Sequence, residues 1–124
     1  MNIEKIGQIA VNVKDVARAT AFYRDILGLK FLFAAGPALA FFDCGGVRLM
    51  LSHAEKPEFD HPASLIYYKV KDLDASHAEL KAKGAVIEDA PHLIAPMPDH
   101  DLWMLSLRDS ERNLLLLMGE KPKA

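Results

Sequence analysis

An internal repeat constrains this chain more than any other feature. Val13-Lys14-Asp15 recurs as Val70-Lys71-Asp72, so Val13 maps onto Val70. Farther on, Asp43-Cys44-Gly45-Gly46 falls on Asp109-Ser110-Glu111-Arg112 by a longer shift, and Met50 falls on Leu116 by that same longer shift. The extra length of the second copy is assigned mostly to a loop holding Pro91, Pro96 and Pro98. The 124 residues must therefore build one supersecondary unit twice. A module of about 55–60 residues buries too little apolar surface to be secure alone, and a pair buries more.

Each copy carries the same succession of elements. In 6–13, Ile9, Val11 and Val13 alternate with Gln8, Ala10 and Asn12, which predicts a half-buried strand. Asp15 stands at an N-cap position. Val16, Ala19, Thr20, Tyr23, Ile26 and Leu27 follow at helical spacing, and Gly28 supplies the stop. Strands are expected over 30–34, 39–44 and 47–52, the last two joined by a tight Gly45-Gly46 turn. In the second copy a strand over 65–70 leads to a helix capped by Asp72 or Asp74 and ended near Gly84. Strands over 85–88, 102–107 and 114–118 follow, with the proline loop between the first two and a turn over 109–113. The expected boundaries are module one at about 4–53, a polar linker at about 54–63, module two at about 64–118 and a charged tail over 119–124, all in one domain.

The fold class is therefore α+β: two βαβββ modules forming a curled mixed sheet with a concave cup, one helix per module on the outer face. By alternation Ile9, Val11, Val13, Val47, Leu49, Leu51, Ile66, Tyr68, Val70, Leu115 and Leu117 point at the helices. Gln8, Ala10, Asn12, Arg48, Met50, Leu65, Tyr67, Lys69, Leu114, Leu116 and Met118 are left on the other face, a pocket candidate.

Composition narrows the function classes. Lys+Arg is 15 against Asp+Glu 17, which argues against a nucleic-acid face or a polybasic membrane anchor. No apolar run approaches the roughly 20 residues of a membrane helix. Met1-Asn2-Ile3-Glu4-Lys5 opens no long apolar stretch, so no signal peptide is expected. The single cysteine, Cys44, excludes an internal disulfide framework and fits a reducing cytoplasm.

Gln8 to Asp15, then Ala21-Phe22-Tyr23-Arg24-Asp25-Ile26-Leu27-Gly28-Leu29, resembles the opening of the vicinal oxygen chelate superfamily. That superfamily includes glyoxalases, bleomycin- and fosfomycin-resistance proteins, extradiol dioxygenases and methylmalonyl-CoA epimerases. Tyr68 to Asp72 and Arg108-Asp109-Ser110-Glu111-Arg112-Asn113-Leu114 resemble its second module and closing turn. The resemblance spans nearly the whole chain. It implies modules paired within a chain or across a homodimer, and a homodimer is expected here.

In metal-dependent members four cup-facing positions carry ligands such as His, Gln and Glu. The resemblance places them on Gln8, Met50, Leu65 and Leu116. Gln8 offers an amide oxygen, Met50 a soft thioether, and the two leucines nothing. A catalytic divalent site needs about three protein ligands, so no metal and no cofactor are expected. The expected ligand-binding residues are Gln8, Phe42, Arg48, Met50, Tyr67, Lys69, Trp103 and Leu116. Arg48 and Lys69 are read either as partners for an anionic group or as edge residues reaching water. Phe42, Tyr67 and Trp103 either line a pocket or fill it.

His53 and His61 read as solvated loop residues and His77 as a partly buried helix residue. His92 and His100 flank the proline loop as a pocket rim. The residues thus suggest a small-molecule-binding protein of the glyoxalase/bleomycin-resistance type. The alternative is a metal-dependent lyase, isomerase or dioxygenase drawing ligands from His92, Asp99, His100 or Glu120. A dimer with no ligand at all is the third reading.

Overall fold

The repeat read from the sequence reappears as strand register. In a computed structural model, Ala10 pairs with Met50, and their counterparts in the second copy, Tyr67 and Leu116, pair in the same way. The structure describes residues 1–54, 57–62 and 64–123. Glu55, Lys56 and Ala63 of the expected linker, and Ala124 of the tail, lie outside the described residues.

The chain divides into two units, Met1–Ser64 and Leu65–Ala124. The first runs β1 (Gln8–Asn12), α1 (Val16–Ala21), a π turn over Phe22–Ile26, β2 (Lys30–Ala35), β3 (Leu39–Cys44) and β4 (Val47–Ser52). The second runs β5 (Ile66–Lys69), α2 (Leu73–Ala82), β6 (Val86–Pro96), β7 (Asp101–Arg108) and β8 (Leu114–Lys121). Each unit has one four-stranded mixed sheet, in the orders β1-β4-β3-β2 and β5-β8-β7-β6. The β1/β4 and β5/β8 pairs are parallel and the others antiparallel. This is the βαβββ module, present twice.

Both helices start on an aspartate. Asp15 Oδ1 accepts from the Arg18 N–H at 3.0 Å, and Asp72 Oδ1 accepts from the Ala75 N–H at 3.0 Å. Each carboxylate satisfies an N–H that the helix leaves without a partner. Both helices close on a left-handed glycine, Gly28 (φ 75°) and Gly84 (φ 77°), a conformation that costs L side chains energy. The first unit has one more residue between cap and glycine than the second. That residue is absorbed by the π turn, where the Leu27 N–H donates to the Phe22 carbonyl at 3.1 Å. A helix uniform over 16–27 does not form.

The expected proline loop is a strand. β6 runs from Val86 through Pro91 to Pro96. It is the edge of its sheet, so a residue without an N–H can face away from the ladder. Three register shifts, between Ile87 and Asp89, Asp89 and His92, and Leu93 and Ala95, take up extra residues as bulges, the second around Pro91. The hairpin closes where the Met97 N–H donates to the His100 carbonyl at 2.8 Å. β8 continues to Lys121, so the charged tail begins inside a strand.

Each helix covers one face of its own sheet. Val11, Leu49 and Leu51 are buried beneath α1, as are Leu105, Leu107, Leu115 and Leu117 beneath α2. On the opposite face Gln8, Ala10, Arg48, Tyr67 and Lys69 are exposed. Phe41, Ser52, Ser106 and Leu116 are buried although they lie on the face away from the helices.

Candidate functional site

Residues directly opposite in paired strands share a face, so register defines the surface that α1 leaves open. Three rows cross the first sheet there: Gln8, Arg48 and Asp43; Ala10, Met50, Phe41 and Phe33; Asn12, Ser52, Leu39 and Ala35.

The first two rows are locked together. Arg48 Nε donates to Gln8 Oε1 at 2.7 Å, and Gln8 Nε2 donates to Met50 Sδ at 3.7 Å. The Arg48 guanidinium lies over the Phe41 ring, 5.0 Å from its centroid. Phe41 in turn stacks on Phe33, with centroids 4.7 Å apart and planes at 28°. A cation over an aromatic face is held by the ring quadrupole, so the side chain is restrained at two points.

This arrangement decides how a divalent ion fits. Of the four positions where the resembling family carries ligands, Gln8 alone has an oxygen donor. That oxygen already accepts from a guanidinium, whose positive charge opposes a second cation nearby. Met50 is a soft donor and a poor partner for a hard ion. Leu65, 55% exposed just before β5, and Leu116 have no donor. The donor set does not fit the metal. Among the described residues no group of three or more His, Cys, Asp or Glu is placed to hold an ion.

The second and third rows run into a cleft of about 370 Å³. Ala10, Leu39, Met50 and Ala54 give it an apolar wall, while Asn12, Ser52, His53 and His61 contribute polar groups. Asn12 Nδ2 donates to the His61 carbonyl at 2.9 Å, which ties the segment after β4 to β1. A space of this volume, mostly apolar with a few polar groups, suits a small organic molecule.

In the second unit Tyr67 lies opposite Leu116 and Lys69 opposite Met118. Lys69 is engaged by Glu120 at 3.5 Å. His100 stands between two carboxylates, with Nδ1 2.7 Å from Asp99 and Nε2 3.3 Å from Glu120. Three of the four reserve ligands thus meet, with both imidazole nitrogens already engaged. His92 Nδ1 instead donates to the Ala90 carbonyl at 2.9 Å. Burial, then Asp43, pushes the Cys44 thiol up from its ordinary range, the opposite of activation.

Two of the expected ligand residues sit on the helix side. Phe42 is fully buried, 6.2 Å from Tyr23 and 5.6 Å from Phe31 between ring centroids. Trp103 pairs with Gly119, where an added Cβ would come 3.0 Å from Leu73 of α2. Lys121 Nζ lies 3.9 Å from the Trp103 centroid and bonds Asp74 of α2 at 2.9 Å. Sequence reasoning missed Phe41, Phe33, Leu39, His53 and His61. A signal for Phe41 was present: a two-residue turn at Gly45-Gly46 puts Phe41 opposite Met50 and Phe42 opposite Leu49. The face of Phe33 depends on a bulge between Phe31 and Phe33, which carries no clear mark in the sequence.

The sequence model of the Glyoxalase/Bleomycin resistance protein/Dioxygenase superfamily matches residues 5–115. The uncharacterized protein YraH of Bacillus subtilis (strain 168) is 28% identical, over 90% of this chain and 94% of its own. The metallothiol transferase FosB of Staphylococcus epidermidis is 29% identical, over 91% of this chain and 65% of its own. Among solved structures, TnmS3, an antibiotic binding protein from Streptomyces sp. CB03234, aligns over 99% of both chains with a TM-score of 0.75 and 22% identity. Lactoylglutathione lyase from Agrobacterium tumefaciens aligns over 96% of both with a TM-score of 0.74 and 23% identity. At such identities the structural likeness speaks for the fold.

Proposed function

The chain belongs to the glyoxalase/bleomycin resistance protein/dioxygenase superfamily, and we propose that within it this protein binds a small, partly apolar molecule without a divalent metal. The observation that carries this reading is the contact between Gln8 and Arg48. The one available ligand oxygen is committed to an internal cation, beside a cleft sized for a small molecule. Gln8, Arg48 and Met50 serve the first unit's face, and Tyr67, Lys69 and Leu116 the second's. Phe42 and Trp103 support the sheets from the helix side. The description of TnmS3 as an antibiotic binding protein favours a binding role. Both modules are read as one domain that acts in the cytoplasm as a homodimer.

The test is metal analysis of protein purified without chelator or affinity nickel, with a thermal-shift screen against small aromatic acids and drug-like cations. The expected result is no stoichiometric Ni, Zn, Fe or Mn after dialysis, together with stabilisation by at least one compound. Retained stoichiometric metal overturns the reading. Light scattering of the same sample tests the dimer.

A second reading, a glyoxalase-type lyase or isomerase with non-standard ligands, requires Asp99, His100 and Glu120 to give up their contacts with one another for a metal. Metal retention that His100→Ala abolishes would favour it.

A further inference from the structure

We infer that the open face of the first unit selects an aromatic carboxylate, with Arg48 as the anion-binding residue and Gln8 as its positioning residue. This rests on the binding reading above and names the ligand class. Arg48 spends one N–H, at Nε, on Gln8 Oε1 at 2.7 Å. Its other donors meet no protein partner among the described residues, and they form the two-pronged edge that matches a carboxylate. Stacking on Phe41 and the bond to Gln8 fix that edge before any ligand arrives, which lowers the entropy lost on binding.

Among the described residues no carboxylate forms an ion pair with Arg48. Arg24 and Arg108 each hold a carboxylate at 2.8 Å, from Asp25 and Glu88. Asp43 lies across from Arg48 in the ladder, but its Oδ1 accepts from the Gly46 N–H at 3.2 Å and makes no ion pair with Arg48. An exposed guanidinium with no carboxylate paired to it among the described residues, in a protein whose formal charge is −2, is a local excess of positive charge that an anion would answer.

Beside this charge stands the aromatic half of the site. Phe33 is 47% exposed and stacked on Phe41, so it offers a free ring edge and face to a flat ligand. Met50, opposite Phe41, continues the apolar surface into the cleft. No Asp or Glu lines that cleft among the described residues, so nothing there favours a cationic ligand.

Three probes that share one ring system separate the possibilities: 2-naphthoate, neutral 2-naphthamide and protonated 2-naphthylmethylamine. Each is titrated into the ¹⁵N-labelled full chain while the amides of 8–12, 39–43 and 48–53 are followed. The carboxylate is expected to bind about tenfold tighter than the amide, the scale of a charge-assisted bidentate pair. Arg48→Met should bring that ratio near one. Arg48→Lys should keep part of the preference, and Gln8→Leu should lower it with the charge still present. If naphthamide or the amine binds wild type as tightly as naphthoate, or the preference survives in Arg48→Met, the inference falls and the binding reading stands. If none of the three moves these amides, both fall.

Discussion

Phe41 and Phe42 are neighbours in β3 that serve opposite faces of one sheet. Phe42 is fully buried between Tyr23 and Phe31 on the helix side. Phe41 lies on the open side, between the Phe33 ring and the Arg48 guanidinium. The pleat sends successive side chains to opposite faces. One dipeptide therefore supplies both a core residue and a site residue.

The two rings should separate in mutation. Phe42→Ala removes a fully buried ring from a packed aromatic group and should cost about 3–5 kcal/mol of folding stability. Phe41→Ala should cost less and should release Arg48, weakening any ligand bound on the open face. Urea unfolding of both variants, with equal slopes, measures the first difference. A Phe41→Ala variant as unstable as Phe42→Ala would show that Phe41, itself 8% exposed, is packed as heavily on the open side as Phe42 is on the helix side.

Much of the fold was legible because the repeat fixes it. The shifts that map Val13 onto Val70 and Met50 onto Leu116 carry the β1/β4 pairing onto β5/β8 without change. Alternation sorted Val11 and Leu49 from Gln8 and Arg48, because a pleated strand with one covered face enforces a period of two. The parts that escaped break a period. A π turn adds a residue within the first helix, bulges reset parity in β2 and β6, and an edge position lets Pro91 stay in a strand where punctuation rules expect a loop. The candidate site was half legible. Gln8, Arg48 and Met50 follow from alternation, whereas His53 and His61 reach the cleft through the chain path after β4, held by Asn12.

The two aspartate caps should be nearly interchangeable in energy. Each accepts one backbone N–H at 3.0 Å in the first turn of its helix. Asp15→Ala and Asp72→Ala should each lower stability by about 0.5–2 kcal/mol, and the asparagine variants should recover most of it. Chemical denaturation of the four variants checks this. Equal loss in alanine and asparagine variants would show that the carboxylate charge matters more than the capping bond.

Gly119 is fixed by packing, since its backbone φ is unexceptional. A Cβ there would meet the Leu73 Cβ at 3.0 Å, against a residue that is 3% exposed at the start of α2. Gly119→Ala should destabilise by about 1–3 kcal/mol, as overpacking does. Gly7→Ala, with nothing within 4 Å, should be neutral or slightly stabilising. Thermal unfolding of the pair separates the close approach from a general effect of replacing glycine.

The hydrogen bond from His100 holds the Asp99 carboxyl below its ordinary value of 3.8, with its own backbone N–H and the nearby imidazole charge adding to the effect. A carboxylate depressed in the folded state stabilises that state above the unfolded value near 3.8, and the contribution is lost as pH falls through the folded value. Asp99 is 87% exposed on its side chain, so water screens the pair and the effect on unfolding should be small. The sensitive measurement is a ¹³C NMR titration of the Asp99 carboxyl. It should show a midpoint below 3.8 in wild type and a return toward 3.8 in His100→Ala. An unchanged midpoint in that variant would mean that the imidazole, 2.7 Å away, does not set the charge of Asp99.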